Sequence, residues 1–307
     1  MRGSLPPPYY DIHYPLLKDL VLKDALQPSP PTAEADLYNK LPAFVILNSL
    51  IQNLHINSVN VKPTSHFWEA VGTTCADAQR LLVYGRTLSP EAMESFWHAC
   101  TGFSSIVLSR VDLDTRTIPQ NTDFSRIKNI HLYSSERDVM DFGVNEYVSL
   151  FKACSELLHL SWTLRDVQPY IQHFMMLSDE ATVADSLLKL ECLQLHGNAF
   201  MDRDIAALLR NTPMLRKFEN NNTWFGPIAF DMLQKYHFQH MITVVVVECS
   251  GLQSAMVQRI LCSCPQLRQL VAGTVFAADL AQPSEPWICR HLARLEKGPE
   301  GMGSRNF

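Results

Sequence analysis

Residues 262–272, "CSCPQLRQLVA", contain the spacing that organises the whole chain. Leu267, Leu270 and Ala272 form the frame apolar-x-x-apolar-x-apolar. Strand side chains alternate between faces, so Leu270 and Ala272 share one face of a short strand. The frame recurs as "LKDLVL" ending at Leu22, "IQNLHI" at Ile56, "AQRLLV" at Val83, "FSSIVL" at Leu108 and "IKNIHL" at Leu132. It continues as "LLHLSW" ending at Trp162, "LECLQL" at Leu195, "LRKFEN" at Asn220, "MITVVV" at Val246 and "LARLEK" at Lys297. Asn220 is a polar departure at a position that is otherwise mostly apolar.

The central anchors are Leu20, Leu54, Leu81, Ile106, Ile130, Leu160, Leu193, Phe218, Val244, Leu270 and Leu295. Their spacings are 34, 27, 25, 24, 30, 33, 25, 26, 26 and 25 residues. A period in the mid-twenties, one strand per period, fits a stacked repeat array. Strands are expected near 17–22, 51–56, 78–83, 103–108, 127–132 and 157–162, then near 190–195, 215–220, 241–246, 267–272 and 292–297. The longer spacings mark longer connections, and residues 163–189 are the candidate insertion. Residues 298–307 read as a disordered tail.

Cysteines carry the same phase independently of the leucines. Cys75, Cys100, Cys154, Cys264 and Cys289 each stand six residues before an anchor. Between strands the pattern is helical. "SPEAMESFWHAC" (89–100) has Ser89 as N-cap and Pro90 at the first helical position. "DRDIAALLRNTP" (202–213) opens on Asp202, and Ile205, Leu208 and Leu209 form its inward stripe. "GPIAFDMLQKYH" (226–237) and "SAMVQRILCSCP" (254–265) repeat the plan.

The 307 residues are 47% hydrophobic and 19% charged, with a net charge of −5, and so have ample material for a core. The acidic balance, without a basic run, argues against a nucleic-acid surface and against an anionic membrane surface. "MRGSLPPPYYDIHYPLL" has prolines where a secretory signal needs an apolar segment, and "MITVVVV" (241–247) is too short to span a bilayer. The expected setting is cytoplasmic or nuclear, where cysteines are reduced thiols.

The combination Cys-x-x-Leu-x-x-Leu-x-apolar, often introduced by a helix ending in "CP", resembles the cysteine-containing leucine-rich repeats of the F-box/leucine-rich-repeat family, in its fungal style. "CSCPQLRQLVA", "ACTGFSSIVL", "ACSELLHLSW" and "WICRHLARLEK" bear the likeness. The resemblance covers about residues 15–297. It implies an α/β solenoid over 1–307, a ribonuclease-inhibitor-like horseshoe of about ten to eleven units. Parallel strands would line its concave face and helices its convex face. It also implies substrate recognition for a cullin-based ubiquitin ligase, through an adaptor that an F-box recruits. No F-box stands out: the only candidate, "LPAFVILNSL" (41–50), falls in register as the helix before the Leu54 strand. The chain therefore reads as a recognition array, with a non-ligase scaffold or inhibitor-type binder as the alternative.

Alternation sends the residues flanking each anchor to the concave face, where a protein or peptide partner would sit. The candidates there are His55, Tyr84, Asn129, His131, Tyr133 and His159, followed by Gln194, His196, Lys217 and Glu219. His, Asn and Tyr suit adaptable hydrogen bonding. Val245, Val247 and Val271 break the polar pattern and suggest an apolar patch. Trp224, in "NNNTWFG", is an aromatic anchor candidate. No enzymatic set is expected. Neither the Cys192/His196 pair nor the His237/His240 pair supplies the three or four ligands of a zinc site. The glycines show no phosphate-binding spacing, so neither metal nor cofactor is expected.

Overall fold

The computed structural model describes residues 12–23, 40–57, 63–85, 88–111, 117–119, 122–135, 144–165, 187–273 and 285–297. Most of the candidate insertion (166–186) and the tail 298–307 lie outside them. The chain packs as two compact units, Met1–Ser134 with Asp138–Leu157, and Ser135–Arg137 with Leu158–Phe307.

The first unit holds strands β1 (Asp19–Lys23), β2 (Asn53–Asn57), β3 (Arg80–Tyr84), β4 (Ser105–Ser109) and β5 (Asn129–Ser135). All pair in parallel and in chain order. Its helices are α1 (residues 40–47), α2 (Ser65–Thr74), α3 (Met93–Cys100) and α4 (Val144–Ala153). A short 3-10 turn, Pro90–Ala92, leads into α3. The second unit holds β6 (His159–Arg165), β7 (Cys192–His196), β8 (Lys217–Asn221), β9 (Thr243–Val247), β10 (Gln269–Ala272) and β11 (Arg294–Lys297). These also pair in parallel and in chain order. Its helices are α5 (Asp202–Arg210), α6 (Pro227–His237) and α7 (Ser254–Ser263). Each unit is thus a parallel sheet whose strands alternate with helices, a repeat arrangement compatible with a solenoid.

The anchors sit opposite one another. Leu20, Leu54, Leu81, Ile106 and Ile130 are successive register partners in the first unit. Leu160, Leu193, Phe218, Val244, Leu270 and Leu295 are so in the second. All but Leu295 are 2% exposed or less. Leu295 is 40% exposed, because β11 pairs on one side with β10 alone among the described residues.

Each strand begins two residues after the start of the sequence frame. The first apolar residue of the frame is held instead in a turn. In the first unit, Leu17, Ile51, Ala78, Phe103, Ile127 and Leu157 donate their backbone N–H to the carbonyls of Tyr14, Asn48, Cys75, Cys100, Phe124 and Cys154. In the second, Leu190, Leu215, Leu267 and Leu292 donate to Leu187, Thr212, Cys264 and Cys289. In these ten repeats the acceptor is the residue six before the anchor; in the repeat of β9, Met241 donates instead to His237, seven before Val244. Apart from half-buried Tyr14 before β1, that position is buried whether cysteine occupies it or not: Cys100 and Cys264 are 0% exposed, Phe124 1% and Asn48 2%. Asn48 satisfies its amide by donating to the Phe44 carbonyl and accepting the Tyr14 N–H.

A second ladder ties strand to strand. The carbonyl two before each anchor accepts two N–H groups of the next repeat. Gln52 and Asn53 thus donate to Lys18, Gln79 and Arg80 to Gln52, and Ser104 and Ser105 to Gln79. The second unit repeats it, with Arg216 and Lys217 on Glu191, and Arg268 and Gln269 on Ile242. Beneath the sheet of the first unit, Phe67, Trp68, Phe96, Trp97 and Phe124 form a chain of ring contacts with centroids 4.9–6.1 Å apart. All five are 1% exposed or less, so α2 and α3 are fixed by burial of large aromatic area.

Candidate functional site

From β2 to β10 the anchors and the residues two beyond them are buried, so the residues at minus one, plus one and plus three stand on the open side of each sheet. Parallel register aligns them in rows. In the first unit one row runs Asp19, Asn53, Arg80, Ser105, Asn129. The next runs Val21, His55, Leu82, Val107, His131, and the third Lys23, Asn57, Tyr84, Ser109, Tyr133. Tyr84 and Tyr133 are 42% and 41% exposed. Asn129 and His131 are half-buried. Val107 and Ser109 are buried, so the face is closed at β4 and open on either side.

On β1–β3 the face forms a shallow depression of about 290 Å³, lined by Asp19, Val21, Asn53, His55, Arg80 and Leu82 among others. The Asn53 side chain donates to the Asp19 carboxylate at 2.7 Å. Burial pushes the His55 pKa down, and the positive charges of Lys23 and Arg80 push it the same way. His55 is therefore neutral near pH 7. Its Nε2 is buried without a hydrogen-bond partner among the described residues.

In the second unit His159 and Lys217 are exposed, and Gln194, His196 and Glu219 are half-buried. Gln194 donates to the Glu219 carboxylate at 2.9 Å, and Asn221 Nδ2 lies 3.2 Å from His196 Nδ1. Burial lowers the His196 pKa, opposed by the Glu219 charge. The polar residues of this face thus pair across neighbouring strands. Val245 and Val247 are half-buried, but Val271 is only 9% exposed. Val271 sits between register partners Val245 and Glu296, so the apolar patch is narrower than the sequence suggests. Trp224 is 48% exposed beyond the end of β8, bridged to Ser250. It donates its N–H to the Phe200 carbonyl, which places it at the rim rather than on the face.

Cys75, Cys100, Cys154, Cys264 and Cys289 are all buried free thiols. Burial raises their pKa values, that of Cys154 to about 12. Cys192 is buried too and is raised to about 11. Cys262 is the most exposed, donating to the Glu285 carbonyl. His237 is fully buried, its Nε2 2.8 Å from the Leu209 carbonyl, and burial lowers its pKa to about 4. His240 packs its ring against it at 5.7 Å. No cluster of three or more metal-ligating side chains occurs among the described residues. No described helix is long and apolar enough to cross a membrane.

Asp19, Val21 and Lys23 belong to the face and were missed as candidates. The alternation rule applied to "LKDLVLK" (17–23) finds them. Comparison with family models and with curated proteins returns no match.

Proposed function

We propose that the chain is a protein-recognition module whose binding surface is the open strand face. On this reading the repeating units are leucine-rich repeats of the ribonuclease-inhibitor-like kind. The observation that supports it best is the alignment of exposed Tyr84 and Tyr133 with half-buried His55, Leu82, Asn129 and His131 on the parallel strands of the first unit. Tyrosine offers large contact area with a polar tip, and rigid strands lower the ordering loss of binding. Resemblance to the F-box/leucine-rich-repeat family assigns the bound protein as a substrate for a cullin-based ubiquitin ligase, in the cytoplasm or nucleus.

The test has two parts. Co-purification of the full-length protein with the ligase adaptor supports ligase membership, whereas a non-ligase scaffold purifies without it. Separately, Tyr133→Glu and His131→Glu should abolish capture of the bound protein while the far-ultraviolet circular dichroism and melting temperature stay unchanged. Undiminished capture by both variants rules out the strand face.

A further inference from the structure

The last strand leaves its anchor uncovered. Leu295 is 40% exposed, against 2% or less for every other anchor. β11 pairs with β10 alone among the described residues, so its other edge is open. At β1, which pairs with β2 alone among the described residues, the anchor Leu20 is 2% exposed, and its core side is already covered. Trp287 and Ile288, in the segment leading to β11, are each 40% exposed as well. The open edge carries its backbone groups in a set order. Arg294 donates its N–H to the Arg268 carbonyl of the preceding repeat. Backbone groups alternate in direction along a strand, so those of Arg294 and Glu296 face β10 while those of Leu295 and Lys297 face outward. The Arg294 and Glu296 side chains stand on the open side of the sheet, paired with each other at 2.6 Å.

We propose that β11 pairs antiparallel with β11 of a second copy of the chain, about a twofold axis at Leu295. The two Leu295 residues exchange N–H···O=C bonds, and their side chains cover each other on the core side. Arg294 of each copy then faces Glu296 of the other, and Ala293 faces Lys297. Charge complementarity is what selects a second copy. Read in opposite directions, Arg-Leu-Glu sets a cation against an anion on both sides of the axis. Those positions are the non-hydrogen-bonded pairs of the ladder, where facing side chains come closest. The ion pair within each copy becomes a set of four charges with no net charge. A strand this short forms a small interface, so the association is weak and concentration-dependent. The proposal is independent of what the strand face binds.

Sedimentation velocity on the full chain, from micromolar to submillimolar concentration, tests this. A monomer–dimer equilibrium with no larger species is the expected result. Arg294→Glu gathers only carboxylates at the axis and Glu296→Arg only guanidinium groups. Each should weaken dimerisation about tenfold or more. Leu295→Ser should weaken it too, and all three variants should keep the far-ultraviolet circular dichroism of the wild type. Mixing Arg294→Glu with Glu296→Arg should restore dimers, because a copy with two carboxylates then meets a copy with two guanidinium groups. Loss of the ion pair inside each copy cannot produce that rescue. A chain that stays monomeric throughout overturns the proposal. So do dimers that both charge variants leave intact, or a mixture of the two that fails to associate. Species that grow beyond the dimer would mark head-to-tail stacking of repeats and overturn the twofold arrangement.

Discussion

At the scale of single residues, the sequence departures prove the most informative. Asn220 is fully buried between register partners Leu195 and Val246, and both atoms of its amide lack a partner among the described residues. Burying an unsatisfied polar group costs about 1–3 kcal/mol. Asn220→Val should therefore raise the stability by about that much, read as a higher denaturant midpoint at unchanged slope. The polar break was visible in "LRKFEN"; its lack of a partner needed three dimensions.

His237 makes a second residue-scale test. Its folded pKa of about 4 lies below the ordinary 6.5, so the unfolded chain takes up the proton first as pH falls. The stability tied to the neutral ring is complete above pH 6.5 and is lost progressively as pH falls toward about 4. The loss is on the order of 3 kcal/mol. His55, His196 and His240 are shifted in the same direction and add to the slope. His237→Gln can still donate to the Leu209 carbonyl and should show a shallower fall in stability between pH 6.5 and 4 than the wild type. An unchanged slope would remove His237 from the account. Gly85 and Gly197 follow their strands at φ of 87° and 109°, a region that resists a Cβ. Gly85→Ala and Gly197→Ala should each lose about 1–2 kcal/mol.

At the scale of elements, Asp202 joins two helices. It opens α5, as its sequence pattern suggests, yet its carboxylate accepts the N–H groups of Gly226, Ile228 and Ala229 at the start of α6. One repeat thus caps the helix of the next, and the negative charge also complements the helix N-terminus. Asp202→Ala should destabilise the protein by about 2 kcal/mol and speed amide exchange at Ile228 and Ala229. No local motif announces a partner 24–27 residues away, which is why the sequence alone did not reveal it. The cysteine phase is the opposite case. It was legible because the turn before each strand buries one small or apolar side chain at a fixed distance from the anchor. Cys262 should react first with an alkylating agent, with the five in-phase cysteines protected until unfolding. Cys264→Ala should cost about 1 kcal/mol from lost packing.

At the scale of the molecule, strand order and anchor register were legible, because one apolar residue per period must face the same core in every repeat. Strand starts were two residues off, since periodicity does not distinguish a strand residue from a buried turn residue. The candidate face was legible as alternation. Its relief was not: Val107 and Val271 are buried there, and the depression on β1–β3 depends on side chains of three adjacent strands. The most direct test of the strand face as the recognition surface is site-specific photo-crosslinking. A photoreactive phenylalanine at position 133, on β5, is compared with one at position 69, on the exposed side of α2. A covalent adduct with the bound protein from position 133 and none from position 69 is the predicted result. Adducts from position 69 with none from position 133 would contradict it.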